Sequence, residues 1–185
     1  MRLLALAGTL KRKGSLNRRL LDLAVQLARS RGLELDDSTP SELEMPLYCE
    51  DDREERGFPP AAEALRRRLE PADGLIIASP EYNYSIPGAL KNAIDWTSRF
   101  RPVPWQGKHA LLLSASPSAV GGNRGLWALR IPLECMGVHV FPDMFSLARA
   151  DQAFDEQGQL QDATSQRRLA QTITSFGALL QRCCS

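Results

Sequence analysis

Gly74-Leu-Ile-Ile-Ala-Ser79, followed by Pro80-Glu-Tyr-Asn-Tyr-Ser-Ile-Pro87 and Gly88-Ala-Leu-Lys-Asn-Ala-Ile-Asp-Trp-Thr-Ser-Arg99, decides the fold. The first six residues form a short apolar run without a polar break, the pattern of a strand buried on both faces. The middle eight are a loop with two Pro and two Tyr. The last twelve bring Leu90, Ala93, Ile94 and Thr97 to one face of a helix. Strand, loop and helix in this order are half of a βαβ unit, and the remaining question is how often the unit recurs.

It recurs in both directions. Upstream, Arg2 to Ala7 is a second apolar run, bounded by Gly8, and residues 8–15 are a polar loop. Ser15 is a candidate N-cap for a helix carrying Leu16, Leu20, Leu23, Ala24 and Leu27 as far as Gly32. Residues 33–37 form a weak strand, and the acidic residues 38–58, punctuated by Pro40, Pro46 and Gly57, read as an excursion loop. Pro59-Pro60 opens a helix with Ala61, Ala64, Leu65 and Leu69 on one face. Downstream, His109 to Ser114 is a strand, residues 115–123 a loop, and the next helix runs to about Met136. Val138 to Phe141 is a fifth strand, and Arg167 to Leu180 closes the chain as a helix burying Leu169, Ile173, Phe176 and Leu180.

Five such alternations, with no internal repeat or linker, predict one α/β domain over residues 1–185. Its sheet is parallel, doubly wound and five-stranded, in the flavodoxin-like order 2-1-3-4-5, with helices on both faces. Ligands of such a sheet sit beyond the carboxyl ends of strands 1 and 3. That rule selects the loops 8–15, 80–87 and 115–123.

Charge excludes several function classes. The 185 residues hold 23 Lys+Arg and 22 Asp+Glu, a net of +1, which lacks the bulk positive charge of a dedicated nucleic-acid binder. No apolar run spans a bilayer, and Lys11-Arg12-Lys13 interrupts the leading apolar stretch too early for a secretory signal. Cys49, Cys135, Cys183 and Cys184 have no metal-site spacing, and with two His a metal centre is not expected. Cys183-Cys184 reads as an oxidisable tail, and a reduced cytoplasmic setting follows. The near-neutral average conceals a net of +7 over residues 1–31 and −8 over residues 34–56, read as two solvated segments that offset each other on one surface.

Each selected loop has chemistry to offer. Residues 8–15 lead into a helix N-terminus, whose free N–H groups and positive dipole end favour a phosphate, with Thr9, Lys11, Arg12, Ser15, Leu16 and Asn17 around it. The spacing fits neither the P-loop nor the G-x-G-x-x-G pattern. Pro80, Glu81, Tyr82 and Asn83 present stiff backbone and a flat wall to a ring with a mixed donor and acceptor edge. Gly121-Gly122 lets backbone approach a ligand closely, and Arg124 stands at the start of the next helix, with Asn123 as an N-cap candidate. Hydrolase chemistry finds no support: there is no G-x-S-x-G elbow, and His109 and His139 lie at strand edges. Asp95 is expected to pair with Lys91 or Arg99 rather than with Glu81.

Pro80 to Trp96 closely resembles the signature of the NADPH-dependent FMN reductase family, which includes bacterial quinone reductases also called chromate reductases. The first loop is similar to that family's phosphate loop, G-S-L-R-x-G-S-x-N, and Gly121-Gly122-Asn-Arg124 to its third flavin-facing loop. The likeness runs from residue 2 to about 180. It implies non-covalent FMN as cofactor, with NADPH or NADH delivering a hydride to flavin N5 and a quinone, free flavin or similar acceptor taking the electrons. It also implies a self-associating subunit, dimer or tetramer. Thr9, Ser15 and Asn17 match the phosphate-loop positions, with one residue more than the family pattern before Gly14, so that Lys11 or Arg12 stands for the family Arg. Arg12 is favoured for its planar fork. Pro80, Glu81, Tyr82 and Asn83 match the segment bordering the isoalloxazine, and Ser116, Gly121 and Gly122 the loop by its pyrimidine side. Tyr84 and Arg124 are candidates for the substrate side, Trp105 and Trp127 for a subunit contact. An FMN-binding electron carrier that does not turn over nicotinamide is the alternative, and a third is that the extra residue has abolished FMN binding.

Overall fold

A computed structural model describes residues 1–37 and 43–183. The five parallel alternations are present in the expected order. Strands β1 (Arg2–Ala7), β2 (Glu34–Asp37), β3 (Gly74–Ala78), β4 (His109–Ala115) and β5 (His139–Val140) run β2-β1-β3-β4-β5 across the sheet, all parallel. Because side chains alternate along a strand, the sheet supplies two cores. Leu3, Ala5, Ile76, Leu111 and Leu113 face α1 (Leu16–Arg29) and α6 (Ala163–Cys183). Leu4, Leu6, Leu75, Ile77 and Leu112 face α3 (Pro60–Leu69), α4 (Gly88–Thr97) and α5 (Asn123–Cys135). Burial on both faces explains why β1, β3 and β4 read as unbroken apolar runs.

Two elements differ from the sequence reading. Within the expected excursion loop lies α2 (Glu50–Arg56), a helix that buries no residue. Its order comes from Glu50, Asp51 and Asp52 at the start and Arg53 and Arg56 at the end, which complement the helix dipole and leave no apolar period to read. Pro40, also assigned to that loop, lies outside the described residues. The edge position beside β4 is shared by β5 and a sixth strand, β6 (Phe145–Leu147), which pairs with Leu113 to Ala115. Pro142, which has no N–H for a ladder, falls between the two segments, so one edge strand is split.

Smaller corrections have local causes. The buried face of α3 is Ala62, Leu65 and Leu69, with Ala61 and Ala64 only half-buried. The residue before α5 that caps it is Gly122 rather than Asn123, in the left-handed conformation at φ 82°. Trp105, a candidate for a subunit contact, is fully buried and its indole N–H donates to Thr97 Oγ1 at 2.9 Å. The tail residue Cys184 lies outside the described residues, while Cys49, Cys135 and Cys183 are free and exposed.

The two opposed charge blocks meet. Arg2 pairs with Asp36 at 3.3 Å, Arg29 with Asp37 at 3.3 Å, and Arg12 with Glu44. Arg68 adds a bond to Asp36 at 2.8 Å, and its hydrogen bond, against the opposing effect of burial and helped by the charges of Arg68 and Arg2, holds that carboxyl below the usual carboxylate range. Among the described residues no helix is long and apolar enough to cross a membrane.

Candidate functional site

The carboxyl ends of β1, β3 and β4 deliver the three loops to one edge of the molecule, where specific contacts fasten them together. Gly8 N–H donates to Ala78 O at 2.8 Å, and a side chain at Gly8 would collide with Leu90 and Ser79 at about 3 Å, so the first loop lies directly on the second. The Asn17 side chain is nearly buried and spends both ends of its amide on Ala115: Nδ2 donates to the carbonyl at 2.8 Å and Oδ1 accepts from the N–H at 2.9 Å. Asn17 thereby fixes the first loop to the root of the third.

The start of α1 has the features of a phosphate cradle. Ser15 Oγ accepts from Arg18 N–H at 3.2 Å, closing the helix end, and Thr9 Oγ1 accepts from Lys11 N–H at 3.2 Å, closing the loop. Gly14 takes φ 62°, which lets the chain turn into the helix. Leu16 and Asn17, the first two helical residues, have N–H groups with no partner within a helix. The first turn has no acidic residue, leaving its positive end uncompensated. Lys11 is exposed and has no carboxylate within 4 Å among the described residues, whereas Arg12 is engaged by Glu44.

In the second loop, Tyr82 and Ser85 exchange backbone hydrogen bonds at 3.1 and 3.0 Å around Asn83 and Tyr84, both with positive φ (50° and 66°). Two such residues in succession make a type I′ turn, where Asn is common and a Tyr carries strain. The strain is held from α5. Arg124 Nε donates to Glu81 Oε1 at 2.9 Å, Gly125 N–H donates to Glu81 Oε2 at 3.0 Å, and the Arg124 guanidinium covers the Tyr84 ring at 3.6 Å. Glu81 thus caps the start of α5 with a carboxylate; burial pulls the Arg124 pKa down, and the hydrogen bond and charge of Glu81, with Tyr84, outweigh it and raise the pKa. Gly125 permits this approach, since a Cβ there would meet Glu81 at 3.0 Å. The side chains of Tyr82, Asn83 and Tyr84 remain exposed above the strut.

The third loop folds on itself. Ser116 Oγ and Ser118 Oγ lie 3.1 Å apart, Ser116 N–H donates to Leu147 O, and Gly121 and Gly122 both take positive φ. A Cβ at Gly122 would come within 2.1 Å of Ser114 Oγ, a buried hydroxyl with no hydrogen-bond partner among the described groups. Backbone alone fits there. The three loops therefore share one edge, and within them Asn17, Glu81, Tyr84 and Arg124 are committed to one another or to backbone. The Lys91–Asp95 pair at 2.7 Å takes Asp95 away from Glu81, as expected from its spacing. No three His, Cys, Asp or Glu side chains among the described residues are grouped as a metal site. Sequence reasoning missed the Glu81–Arg124 strut. The available signal was a carboxylate in the second loop and an Arg opening the helix after the third, since the two loops are neighbours in the order 2-1-3-4-5.

Residues 1–152 match the family model described as NADPH-dependent FMN reductase. The quinone reductase of Escherichia coli K12 is 35% identical over 184 residues, covering 98% of this chain and 96% of the relative. An NAD(P)H-dependent FMN reductase of Pseudomonas aeruginosa is 38% identical over 185 residues, covering 98% and 96%. Among solved structures, the flavoenzyme NAD(P)H:(acceptor) oxidoreductase FerB of Paracoccus denitrificans superposes with a TM-score of 0.83 at 26% identity, covering 98% of both chains. A flavodoxin of Pseudomonas aeruginosa, with a TM-score of 0.59 and 16% identity over 98% of this chain and 99% of that one, shares the fold.

Proposed function

The chain belongs to the NADPH-dependent FMN reductase family, and on that premise we propose that it is an FMN-dependent NAD(P)H:acceptor oxidoreductase with a quinone as acceptor. The observation that carries the reading is the cradle beside the shelf: an uncompensated helix N-terminus at Leu16 and Asn17, next to the side-chain-free surface at Gly121-Gly122. The first suits a phosphate, the second a flat ring that needs close backbone contact. The residues present therefore fit FMN. Bound FMN would take two electrons from NAD(P)H and pass them to the acceptor, so the chain needs no nucleophile or base of its own.

The residues have distinct roles in this reading. Thr9, Ser15, Leu16 and Asn17 shape the phosphate cradle, with Lys11 and Arg12 supplying positive charge at its rim. Pro80, Glu81, Tyr82 and Asn83 border the ring by backbone groups, and the type I′ turn holds those groups in fixed directions. Ser116, Gly121 and Gly122 present main-chain groups to its other edge, where positive dipoles stabilise negative charge on the ring. Arg124 positions Tyr84 and Glu81.

We read residues 1–185 as one domain in a reducing, cytoplasmic setting, in keeping with three exposed free cysteines. Self-association is proposed through α5, where Ile131 is 72% exposed. Light scattering of the wild type and of Ile131→Glu tests this: a dimer or tetramer that dissociates in the variant supports it, and a monomeric wild type refutes it. The activity is tested by adding FMN, NADPH and benzoquinone to the purified chain. Quinone-dependent NADPH oxidation that requires FMN is the expected result, and no oxidation at saturating FMN would refute it.

A further inference from the structure

A cleft of about 700 Å³ lies between α5, the link from β5 to β6, and α6. Its volume is that of a small-molecule site. Asn123, the residue that follows Gly121-Gly122, is one of its walls, so the cleft borders the shelf proposed for the ring. We infer that this cleft is the subsite for the adenosine 2′-phosphate end of NADPH, and that it sets a preference for NADPH over NADH. The inference rests on the oxidoreductase reading and adds to it the recognition of the reductant.

The chemistry of the walls is that of an anion attached to an aromatic ring. Trp127 is 57% exposed with the Arg130 guanidinium 5.5 Å from its ring centre, and a base can stack on the face that Arg130 does not cover. Arg167 and Arg168 enter from α6, against one acid, Asp143. Arg168 is fixed: its Nη2 donates to Ser146 O at 2.8 Å and its guanidinium lies 4.6 Å from the Phe145 ring centre. Arg167 is open. Its guanidinium makes one long contact, to Thr164 Oγ1 at 3.4 Å, and has no carboxylate within 4 Å among the described residues. Asp162, which feels its charge, is committed to Ser165 N–H at 2.7 Å. Thr172, 8% exposed, is also among the walls.

Arg124 stands closer to the flavin-facing loops but is not available, because Glu81 and Tyr84 occupy it. A phosphate monoester is matched by the planar fork of an unpaired Arg, which forms two short charge-assisted bonds with it. NADH has a hydroxyl where NADPH has this phosphate, so a site built on Arg167 discriminates between them by charge.

The test uses the full chain loaded with FMN. Adenosine 2′,5′-bisphosphate is titrated against 5′-AMP, following tryptophan emission and the heat of binding. Trp96 and Trp105 are buried, so quenching reports on Trp127 and is lost in Trp127→Phe. The bisphosphate is expected to quench and 5′-AMP to bind more weakly. Arg167→Ala is expected to weaken the bisphosphate about tenfold and to lower the ratio of kcat/KM for NADPH over NADH by a similar factor, with Arg101→Ala as an exposed control. No quenching, or equal affinity and an unchanged ratio in Arg167→Ala, overturns the subsite. Turnover with NADPH that ignores Arg167 defeats the subsite alone. Bisphosphate binding without any NADPH oxidation defeats the oxidoreductase reading and leaves the subsite standing.

Discussion

Arg124 covers the ring of Tyr84 at 3.6 Å while its Nε binds Glu81 at 2.9 Å, so one side chain ties a central residue of a strained turn, and the residue just before the turn, to the start of α5. Tyr84 is 68% exposed and holds φ 66° without the freedom of a glycine. Strain at an exposed loop persists only where surrounding contacts enforce it. Here they come from the Arg124 guanidinium, from Gly125 N–H on Glu81 and from the paired backbone bonds of Tyr82 and Ser85, and the turn they enforce borders the proposed ring site.

Removing the guanidinium is therefore expected to loosen the turn without unfolding the protein. Arg124→Ala should raise the Kd for FMN about two- to fivefold, the range of an exposed cation–π contact. Arg124→Lys should fail to restore it, since an ammonium does not bond Glu81 in the same plane while covering a ring. FMN titration by fluorescence measures both. Wild-type affinity in either variant would remove Arg124 from the positioning role.

Asn17 joins two loops through a buried pair of hydrogen bonds, and its loss leaves the N–H and carbonyl of Ala115 unpaired. Asn17→Ala is expected to cost about 2–3 kcal/mol of stability, the penalty of stranding buried backbone groups. Urea unfolding of the FMN-free protein measures it, and a loss below about 0.5 kcal/mol would contradict the role.

Gly122 and Ser114 form a coupled pair. Gly122→Ala would place a Cβ within 2.1 Å of Ser114 Oγ at φ 82°, and is expected to destabilise by at least about 1–3 kcal/mol. Ser114→Ala removes a buried hydroxyl that has no partner, and should be neutral or stabilising by up to about 1 kcal/mol. In the double variant part of the clash disappears while the backbone strain remains. A thermal-unfolding cycle should therefore show a positive coupling, and strict additivity would mean that the two do not touch.

At the opposite end of the sheet, His109 and His139 stack with ring centres 5.1 Å apart. Burial, and then the neighbouring His139, lowers the pKa of His109 below 6.5. The unfolded chain therefore binds a proton before the native one does as pH falls, and native stability declines below about pH 6.5, levelling once native His109 is itself protonated. Above that pH the group contributes no slope. His109→Gln should flatten the decline measured by urea unfolding between pH 7.5 and 5.5, with His139→Gln reducing it only in part, and an unchanged slope in His109→Gln would assign it to other groups.

The alternation of buried strands and amphipathic helices made the order 2-1-3-4-5 legible, because apolar runs such as Leu75 to Ala78 have few other places to go. What escaped was structure held by few buried residues. The helix α2 is ordered by its own charges, and β6 is three residues behind a proline. The position of the three candidate loops was legible, since topology fixes where loops after β1, β3 and β4 emerge. The bonds among them were not, because Glu81 to Arg124 and Asn17 to Ala115 link residues 43 and 98 positions apart. Residues adjacent in sequence do not name such a partner, which emerges only once the strand order sets the two loops side by side. The opposed charge blocks were legible as offsetting surface, and their pairs, Arg2 with Asp36 and Arg29 with Asp37, join them directly.

The most direct test of the oxidoreductase reading is anaerobic stopped-flow mixing of the FMN-loaded chain with NADPH, followed by benzoquinone. Loss of flavin absorbance near ~450 nm within seconds of NADPH addition, and its return on adding the quinone, is the expected result. A flavin that stays oxidised for minutes in excess NADPH would contradict it and mark the chain as an electron carrier.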